Sequence, residues 1–119
     1  MENRYLYRAK HMHILPGNDH LDGSWVVGFL SGEHYITNDS GEYLIDPRTI
    51  CQCTGYAGIY EKDIFQCDDE MYVIEWSDYS LSWEAEAIGN TDSISLGEFE
   101  PDEIYAIGNT IDNPELLEV

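Results

Sequence analysis

The stretch DIFQCDDEMYVIEWSDYSLSWEAEA, residues 63–87, decides the fold of this chain. It begins with two apolar runs, residues 63–67 and 71–76, which flank the acidic turn sequence Asp68-Asp69-Glu70. After a second turn at residues 77–79, apolar and polar residues alternate strictly over residues 80–87, as in a strand with one buried face. The stretch therefore predicts three consecutive antiparallel strands joined by short turns.

The rest of the chain repeats this pattern of short apolar runs between turn signals, and no window keeps helical periodicity for twelve residues. Single helical turns are predicted at 46–49 and 113–117, where Asp or Asn precedes Pro. Residues 11–22 and 89–93 are predicted loops. The further predicted strands are residues 5–9, 25–30, 34–37, 42–45, 50–54, 95–99 (a short edge segment) and 103–108. Many short strands between turns predict a mainly β fold, a small barrel or a sandwich.

Charge is distributed unevenly along the chain. The total is 24 Asp and Glu against 5 Lys and Arg, a formal net charge of −19. From residue 63 to residue 119 there are sixteen acids and no Lys, Arg or His. Such a surface repels nucleic acids and anionic membranes and suits a partner with a basic groove. Because the same half holds Trp, Phe and Tyr, the acids are expected on the surface of a packed domain rather than in a disordered tail.

Length and composition limit the cellular context. A chain of 119 residues forms one domain or two small subdomains. Three cysteines make a disulfide framework improbable and favour a reducing compartment. The start Met1-Glu2-Asn3-Arg4 does not have the pattern of a secretory signal, and no run is long enough for a membrane span. The expectation is a cytoplasmic protein without a membrane partner.

Three blocks of sequence carry a family resemblance. The first is RYLYRAK at residues 4–10 with GSWVVG at 23–28, and the second is IDP at 45–47 through QCTG at 52–55 and IYEKDI at 59–64. The third is IGNTIDNPELL at 107–117. In order and spacing they resemble the YopX family of phage and prophage proteins, over nearly the whole chain. Departures from the family pattern are a shortened turn at residues 56–58, Lys62 in place of a turn glycine, and Cys53 in place of an aromatic residue.

The resemblance implies a mostly β fold with an SH3-like barrel in the second half and a β-hairpin region in the first. The division expected is an N-terminal β subdomain, residues 1–55, and an acidic barrel-like subdomain, residues 56–119, packed as one compact unit. The resemblance also implies a phage or prophage origin and a bacterial host cytoplasm. It assigns no catalytic residue, metal ligand or cofactor.

Possible metal and catalytic sites have simpler explanations. Cys51 and Cys53, with Cys67 and the histidines at 11 and 13, do not have the two-to-four-residue spacing of structural zinc pairs, so small buried thiols are favoured. The turn at residues 68–70 lacks the spacing of a calcium loop. No nucleophile elbow or phosphate-binding glycine loop is present. We therefore predict no catalytic residue, no cofactor and no metal.

Eight carboxylates are the candidate partner-binding residues, since they could form a continuous acidic face on the second half. They are Glu75, Asp78, Glu84, Glu86, Glu98, Glu100, Asp102 and Glu103. A fold of this mass exposes roughly 6,500 Å², or about 350 Å² per net charge, against on the order of 100 Å² for duplex DNA. If the sixteen acids of the second half occupied about 40% of the surface, the density would approach that of DNA, at roughly 160 Å² per charge.

Three functions follow from these observations. The first is a non-catalytic binding protein, an acidic nucleic-acid mimic that occupies the basic groove of a host nucleic-acid-binding enzyme, as anti-restriction or anti-CRISPR proteins do. The second is a structural or assembly module that forms a homo-oligomer and uses its charge for solubility. The third and least favoured is a small hydrolase or metal enzyme.

Overall fold

The computed structural model describes residues 5–12, 23–89 and 92–118. Contacts between Cα atoms divide the chain into two compact units, Met1–Cys53 and Thr54–Val119. Each unit has a five-stranded antiparallel sheet. The subdomains predicted at 1–55 and 56–119, and their packing as one body, stay predictions. Most of the loop predicted at 11–22 lies outside the described residues.

The strands of the first unit lie in the order β4-β3-β2-β1-β5. Their bounds are β1 Tyr7–Lys10, β2 Trp25–Ser31, β3 Tyr35–Asn38, β4 Gly41–Leu44 and β5 Cys51–Gln52. Tight turns with glycine in the left-handed region connect β2 to β3 and β3 to β4, at Gly32 (φ 73°) and Gly41 (φ 138°). An isolated bridge joins His11 to Ile45, so the chain after β4 also pairs with the end of β1.

The core of the first unit follows from the alternation of side chains along its strands. Ala9, Ile36 and Ile45 are buried, and Val26 and Leu30 of β2 pack against them. At Gly28, an added Cβ would lie 2.4 Å from the backbone oxygen of Thr37. Glycine is therefore required there, because β2 and β3 approach each other too closely for any side chain.

The second unit contains the sequence stretch that decides the fold. Its strands lie in the order β10-β6-β7-β8-β9. Their bounds are β6 Asp63–Cys67, β7 Glu70–Ser77, β8 Ser82–Ala87, β9 Ser93–Ser95 and β10 Ala106–Asn109. The three strands predicted at 63–87 are confirmed. The last two strands differ from their predicted bounds. The strand β9 begins at Ser93, inside the predicted loop at 89–93, and β10 begins at Ala106 instead of at residue 103.

One face of this second sheet forms the larger core of the protein. Phe65, Tyr72 and Ile74 pack with Ala85 and Ala87 of β8, and the segment after β9 covers them. Phe65 lies 5.4 Å from Tyr72 and 5.1 Å from Phe99, measured between ring centroids. The alternation that predicted one buried face on residues 80–87 is therefore confirmed for β8.

Short 3-10 turns, rather than longer helices, complete the described parts of the chain. They are Pro47–Thr49, Leu96–Glu98, Pro101–Glu103 and Pro114–Leu117. The capping predicted for the first turn is confirmed, because the side chain of Asp46 accepts a hydrogen bond from the backbone N–H of Arg48 at 3.0 Å. Arg48 also forms an ion pair with Asp46 at 2.8 Å, and these contacts lower the pKa of that carboxyl.

The closing sequence block forms a compact turn after β10. Asn109 is buried, and its side-chain oxygen accepts hydrogen bonds from the backbone N–H groups of Ile111 and Asp112. The side-chain oxygen of Asn113 accepts in turn from the N–H of Asn109 at 3.2 Å. A Cβ at Gly108 would lie 2.6 Å from that same oxygen of Asn113, so the turn depends on glycine at this position.

The mainly β class is confirmed, with two antiparallel sheets and short helical turns. Within the described strands the second sheet runs from β10 to β9 without closing on itself. The SH3-like barrel that the family resemblance implies therefore stays a prediction. In the part of the chain that the structure describes, no helix is long and apolar enough to cross a membrane.

Candidate functional site

Three of the eight predicted carboxylates share one face of the second sheet. Glu75 on β7 lies directly opposite Glu84 on β8, and Glu86 lies opposite Val73. All three alternate with core residues, so they point away from the larger core. We refer to Glu75, Glu84 and Glu86 as the sheet carboxylates. Strand pairing places Glu75 and Glu84 about 5 Å apart at Cβ, a spacing at which like charges repel.

The surroundings of Glu75 disfavour the ionised form of its carboxyl group. Partial burial raises the pKa of its carboxyl, the neighbouring Glu61 and Glu86 raise it further, and Lys62 opposes them. Val73, two residues earlier on the same face, is buried. Ionised Glu75 is therefore disfavoured both by apolar surroundings and by two like charges. Sequence reasoning missed Glu61 and Lys62, because their proximity to Glu75 arises from the turn before β6.

Two serines hold Glu84 in position. The hydroxyl of Ser93 donates to one carboxylate oxygen at 2.8 Å, and the hydroxyl of Ser80 donates to the other at 3.0 Å. Ser80 and Ser82 also share a hydrogen bond of 2.7 Å between their hydroxyl oxygens. These bonds fix the direction of the Glu84 carboxylate. Glu86, by contrast, is exposed.

Asp78 lies in the turn between β7 and β8. Its carboxylate accepts a hydrogen bond from the indole N–H of Trp76 at 3.1 Å. Trp76 packs edge-on against Trp83, with ring centroids 5.3 Å apart. Tyr79 and Leu81 of the same turn are strongly exposed. The end of this hairpin therefore presents an acidic group together with aromatic and aliphatic side chains.

The remaining four carboxylates lie on the segment between β9 and β10. They are Glu98, Glu100, Asp102 and Glu103. This segment contributes Leu96, Phe99 and Ile104 to the larger core, so it covers the face of the sheet opposite to the sheet carboxylates. The sheet carboxylates and this segment thus lie on opposite sides of the second sheet, and the continuous acidic face stays a prediction. To assign these four carboxylates to a face of the sheet, one must know which strands the segment covers. The periodicity of the sequence does not give that information.

Glu103 has a local structural role within this second group. One of its oxygens accepts from the backbone N–H of Glu100 at 2.8 Å, which caps the 3-10 turn Pro101–Glu103. The other oxygen lies 3.8 Å from the sulfur of Cys67. Desolvation, Asp68 and Glu103 all raise the pKa of the Cys67 thiol. The thiol is therefore held in its protonated, weakly nucleophilic form.

The sequence also offers a cysteine and histidine group and an acidic turn as candidate metal sites. Cys51 and Cys53 are buried thiols that form no disulfide, and their burial is as predicted. Among the described residues, no three His, Cys, Asp or Glu side chains are grouped closely enough to hold a metal ion. The turn at residues 68–70 joins β6 to β7, with Asp68 at φ 56°. His13 lies outside the described residues.

The fold and this surface define a class of small, acidic, two-unit antiparallel β proteins. The chain matches the family model of the YopX protein over residues 27–118. The matched region covers most of the chain, with the whole second sheet and all of the first sheet except β1 and the start of β2, so the protein belongs to the YopX family. The resemblance drawn from the sequence blocks is confirmed. No match is found among curated proteins.

Proposed function

We propose that this protein is a non-catalytic binding protein, encoded by a phage or prophage, that acts in the cytoplasm of a bacterial host. Its sheet carboxylates engage a basic groove of a host nucleic-acid-binding protein, as an acidic mimic of nucleic acid that inhibits an enzyme of the restriction or CRISPR type. The observation that carries the proposal is the placement of Glu75, Glu84 and Glu86 on adjacent strands of one face.

Local charge density supports mimicry better than total charge does. Dividing the accessible surface of 7454 Å² by the 19 net charges gives about 390 Å² per charge. Duplex DNA has on the order of 100 Å² per charge, so the molecule as a whole is much less dense. In a sheet, however, each same-face position occupies roughly 4.8 by 6.8 Å, about 33 Å². Glu75, Glu84, Glu86 and the neutral Val73 fill a block of four such positions, about 130 Å², so this small patch has about 45 Å² per charge and exceeds the density of duplex DNA.

The raised pKa of Glu75 also favours a cationic partner. Its carboxyl is destabilised by Glu61 and Glu86, and Lys62 is the nearby base that opposes them. A guanidinium or ammonium group placed between Glu75 and Glu86 would relieve this repulsion and form charge-assisted hydrogen bonds. The exposed Tyr79 and Leu81 at the adjacent hairpin end would add apolar contact area.

The test is capture of partners from bacterial lysate by immobilised protein at about 50 mM and 300 mM salt, with duplex DNA as competitor. The triple variant Glu75→Gln/Glu84→Gln/Glu86→Gln should lose at least about tenfold in affinity for the captured protein. The matched control Glu98→Gln/Glu100→Gln/Asp102→Asn removes the same charge from the other group and should lose less than about threefold.

Three results would count against the proposal. Equal losses in the two triple variants would mean that net charge alone attracts the partner. Failure of duplex DNA to compete would remove mimicry. Absence of any captured nucleic-acid-binding protein at the lower salt concentration would remove the function itself.

The alternative function, an assembly module that forms homo-oligomers, is favoured by the first sheet. Val27, Phe29 and Tyr35 share the face opposite to the core, and they are 41%, 56% and 38% exposed. Exposed aromatic residues on a sheet face are typical of interaction surfaces. Light scattering after size exclusion decides this point: a dimer in the parent protein and a monomer in Phe29→Lys would support assembly, and a parent monomer at all concentrations would exclude it.

A further inference from the structure

The β7–β8 hairpin ends in a turn at residues 78–81, and large apolar side chains at this end of the hairpin face solvent. Tyr79 is fully exposed, Leu81 is 72% exposed, and Trp76 of β7 is 45% exposed. We refer to Trp76, Tyr79 and Leu81 as the hairpin cluster. Single exposed apolar residues are ordinary, whereas several large ones at one turn mark an interaction site.

The backbone at Leu81 shows that the turn itself does not require this side chain. Leu81 has a φ of 55°, in the left-handed region that glycine and asparagine adopt at lower cost than leucine. Its side chain is mostly in solvent, so packing against the core does not offset that cost. A strained residue with an exposed apolar side chain is a feature that binding of a partner explains.

The surroundings of the hairpin cluster are acidic. Asp78 lies within the turn, and its carboxylate accepts a hydrogen bond from the indole N–H of Trp76 at 3.1 Å. Glu75 and Glu84 are the next carboxylates along the two strands, and residues 63–119 contain no Lys, Arg or His. These charges favour a cationic partner and disfavour an anionic one, such as a nucleic acid or an anionic membrane.

The Trp25 ring of the first unit shows what covers an indole elsewhere in this protein. The guanidinium of Arg8 and the ammonium of Lys10 each lie 4.5 Å from its centroid. Cations stack on indole because the face of the ring has a negative electrostatic potential. Trp76 instead lies among carboxylates in a stretch without bases, so its exposed ring surface is accessible to a cation from another molecule.

We propose that the hairpin cluster binds an arginine side chain in an extended segment of a partner protein. The guanidinium stacks on the exposed part of the Trp76 ring and pairs with the carboxylate of Asp78, which the indole N–H holds beside the ring. Tyr79 and Leu81 supply apolar contact area for the neighbouring residues of the segment. Arginine fits better than lysine, because its guanidinium is planar, weakly hydrated and able to stack on a ring while it pairs with a carboxylate.

This inference goes beyond the proposed function, because it requires no nucleic-acid-binding groove in the partner. Trp76 follows the core residue Ile74 by two positions, so it lies on the face of the second sheet opposite to the sheet carboxylates. The triple variant of the sheet carboxylates leaves Trp76 and Asp78 in place. Binding of an arginine peptide and binding of a basic groove can therefore fail separately.

The experiment titrates the full chain with two short peptides with blocked ends, in which glycine alternates with arginine or with lysine. NMR follows the indole N–H signals of the three tryptophans. The Trp76 signal is expected to shift with the arginine peptide, while the signal of Trp25 stays fixed. The arginine peptide should bind at least about threefold more tightly than the lysine peptide.

Variants separate the ring from the charge. Trp76→Leu keeps an apolar side chain but removes the ring, and it should weaken binding of the arginine peptide at least about tenfold. Asp78→Asn keeps an acceptor for the indole N–H but removes the charge, and it should weaken binding at least about threefold. Tyr105→Leu and Asp69→Asn are the matched controls, since both residues are exposed and lie away from this turn, and each should change affinity less than about twofold.

Leu81→Asn tests whether the strained leucine serves binding. Asparagine adopts the left-handed region more readily, so the melting temperature should be unchanged or higher. Affinity for the arginine peptide should fall at least about twofold, because apolar contact area is lost. A lower melting temperature with unchanged affinity would show that Leu81 serves folding instead.

Several outcomes would overturn the proposal. Equal binding of the two peptides would show that charge alone attracts them. No shift of the Trp76 signal with either peptide up to about 5 mM would remove the site. A shift with vesicles of neutral phosphatidylcholine but not with the peptides would assign the hairpin cluster to a lipid surface. If Trp76→Leu loses the dispersed spectrum of a folded protein, Asp78→Asn and the parent titration still decide between these results.

Discussion

The two sheets of this protein have the same number of strands and the same antiparallel pairing, yet their faces opposite to the core differ sharply. The first sheet presents Val27, Phe29 and Tyr35, with Arg8 and Lys10 stacked on Trp25. The second presents the sheet carboxylates. Architecture alone therefore does not set what each unit can bind. The sheet face opposite to each core can carry apolar, aromatic or acidic side chains while the alternation that builds the core is kept.

The two cores differ in size. Truncation of a buried side chain to alanine in each core should reveal this difference, and it is expected to have the largest effect on stability of the variants considered. Phe65→Ala is expected to destabilise the second unit by about 3 to 5 kcal/mol, because Phe65 is fully buried between Tyr72 and Phe99. Ile36→Ala, in the smaller core of the first unit, is expected to cost about 2 to 4 kcal/mol. Chemical denaturation monitored by tryptophan fluorescence would measure both.

The control for these truncations is Tyr105→Ala, since Tyr105 is 70% exposed. It is expected to change stability by less than about 0.5 kcal/mol. A larger cost for Ile36→Ala than for Phe65→Ala would reverse the comparison of the two cores.

Glycine substitutions should distinguish a backbone contact in the first unit from a side-chain contact in the second. Gly28→Ala is expected to cost about 3 kcal/mol, because the new methyl group would meet the backbone oxygen of Thr37, which cannot move without opening β2 from β3. Gly108→Ala should cost less, since it meets the side chains of Asn113 and Leu116. Thermal unfolding would rank the two variants.

Gly97→Ala is the reference variant for this pair, because an added Cβ there has no neighbour within 4 Å and Gly97 does not have a positive φ. It should leave the melting temperature nearly unchanged. A Gly28→Ala variant as stable as Gly97→Ala would contradict the close approach of β2 and β3.

The acidic face of the second sheet should give a pH-dependent effect. Because the pKa of Glu75 is raised in the folded state, the unfolded protein releases this proton first as pH rises, and the folded protein loses stability above the ordinary value of 4.5. Glu75→Gln is therefore expected to stabilise the protein at pH 7 by less than about 1 kcal/mol and to have no stabilising effect near pH 3. Urea unfolding at several pH values tests the sign.

Glu98→Gln provides the comparison for this effect, since Glu98 is exposed and lies in the other group of carboxylates. Its effect should be smaller at pH 7. A loss of stability in Glu75→Gln at pH 7 would show that ionised Glu75 is favoured in the folded protein.

The smallest effect is expected at Lys62, the last base before the acidic half. Its φ of 71° lies in the left-handed region, which glycine adopts more readily than a residue with a side chain. Lys62→Gly relieves strain of about 1 kcal/mol but increases unfolded-state freedom and removes a cation near Glu75, so the net change should stay within about 0.5 kcal/mol.

Ala57→Gly isolates the backbone term, because Ala57 has a φ of 56° and no charge. The difference between the two glycine variants should grow from pH 3 to pH 7 as Glu75 ionises. Identical pH dependence in both variants would show that Lys62 does not act on Glu75.

Sequence patterns predicted several elements correctly where the signal is local. Residues 63–67 form β6 with the predicted bounds, and the turn at Pro47–Thr49 has the predicted Asp46 cap. The family resemblance was also readable from short blocks. The predictions were displaced at β9 and β10, because short edge strands are stabilised by pairing with distant residues and have little local pattern of their own.

The candidate site was predictable only in part. The alternation of residues 80–87 correctly placed Glu84 and Glu86 on the face away from Trp83 and Ala85. It could not show that the segment carrying Glu98 to Glu103 covers the opposite face, nor that Glu61 lies near Glu75. The exposed hairpin cluster was not predicted either, since the alternation assigned Leu81 to the buried face.

The amino-acid sequence by itself determined the mainly β class, the YopX relationship, the charge of −19 and the inward or outward direction of side chains along most strands. These properties depend on composition and on a two-residue period, which are local. The tertiary structure alone decided which carboxylates become neighbours and which apolar side chains of the β7–β8 hairpin stay exposed. Both depend on strand register and chain reversal, which bring together residues that are distant in sequence.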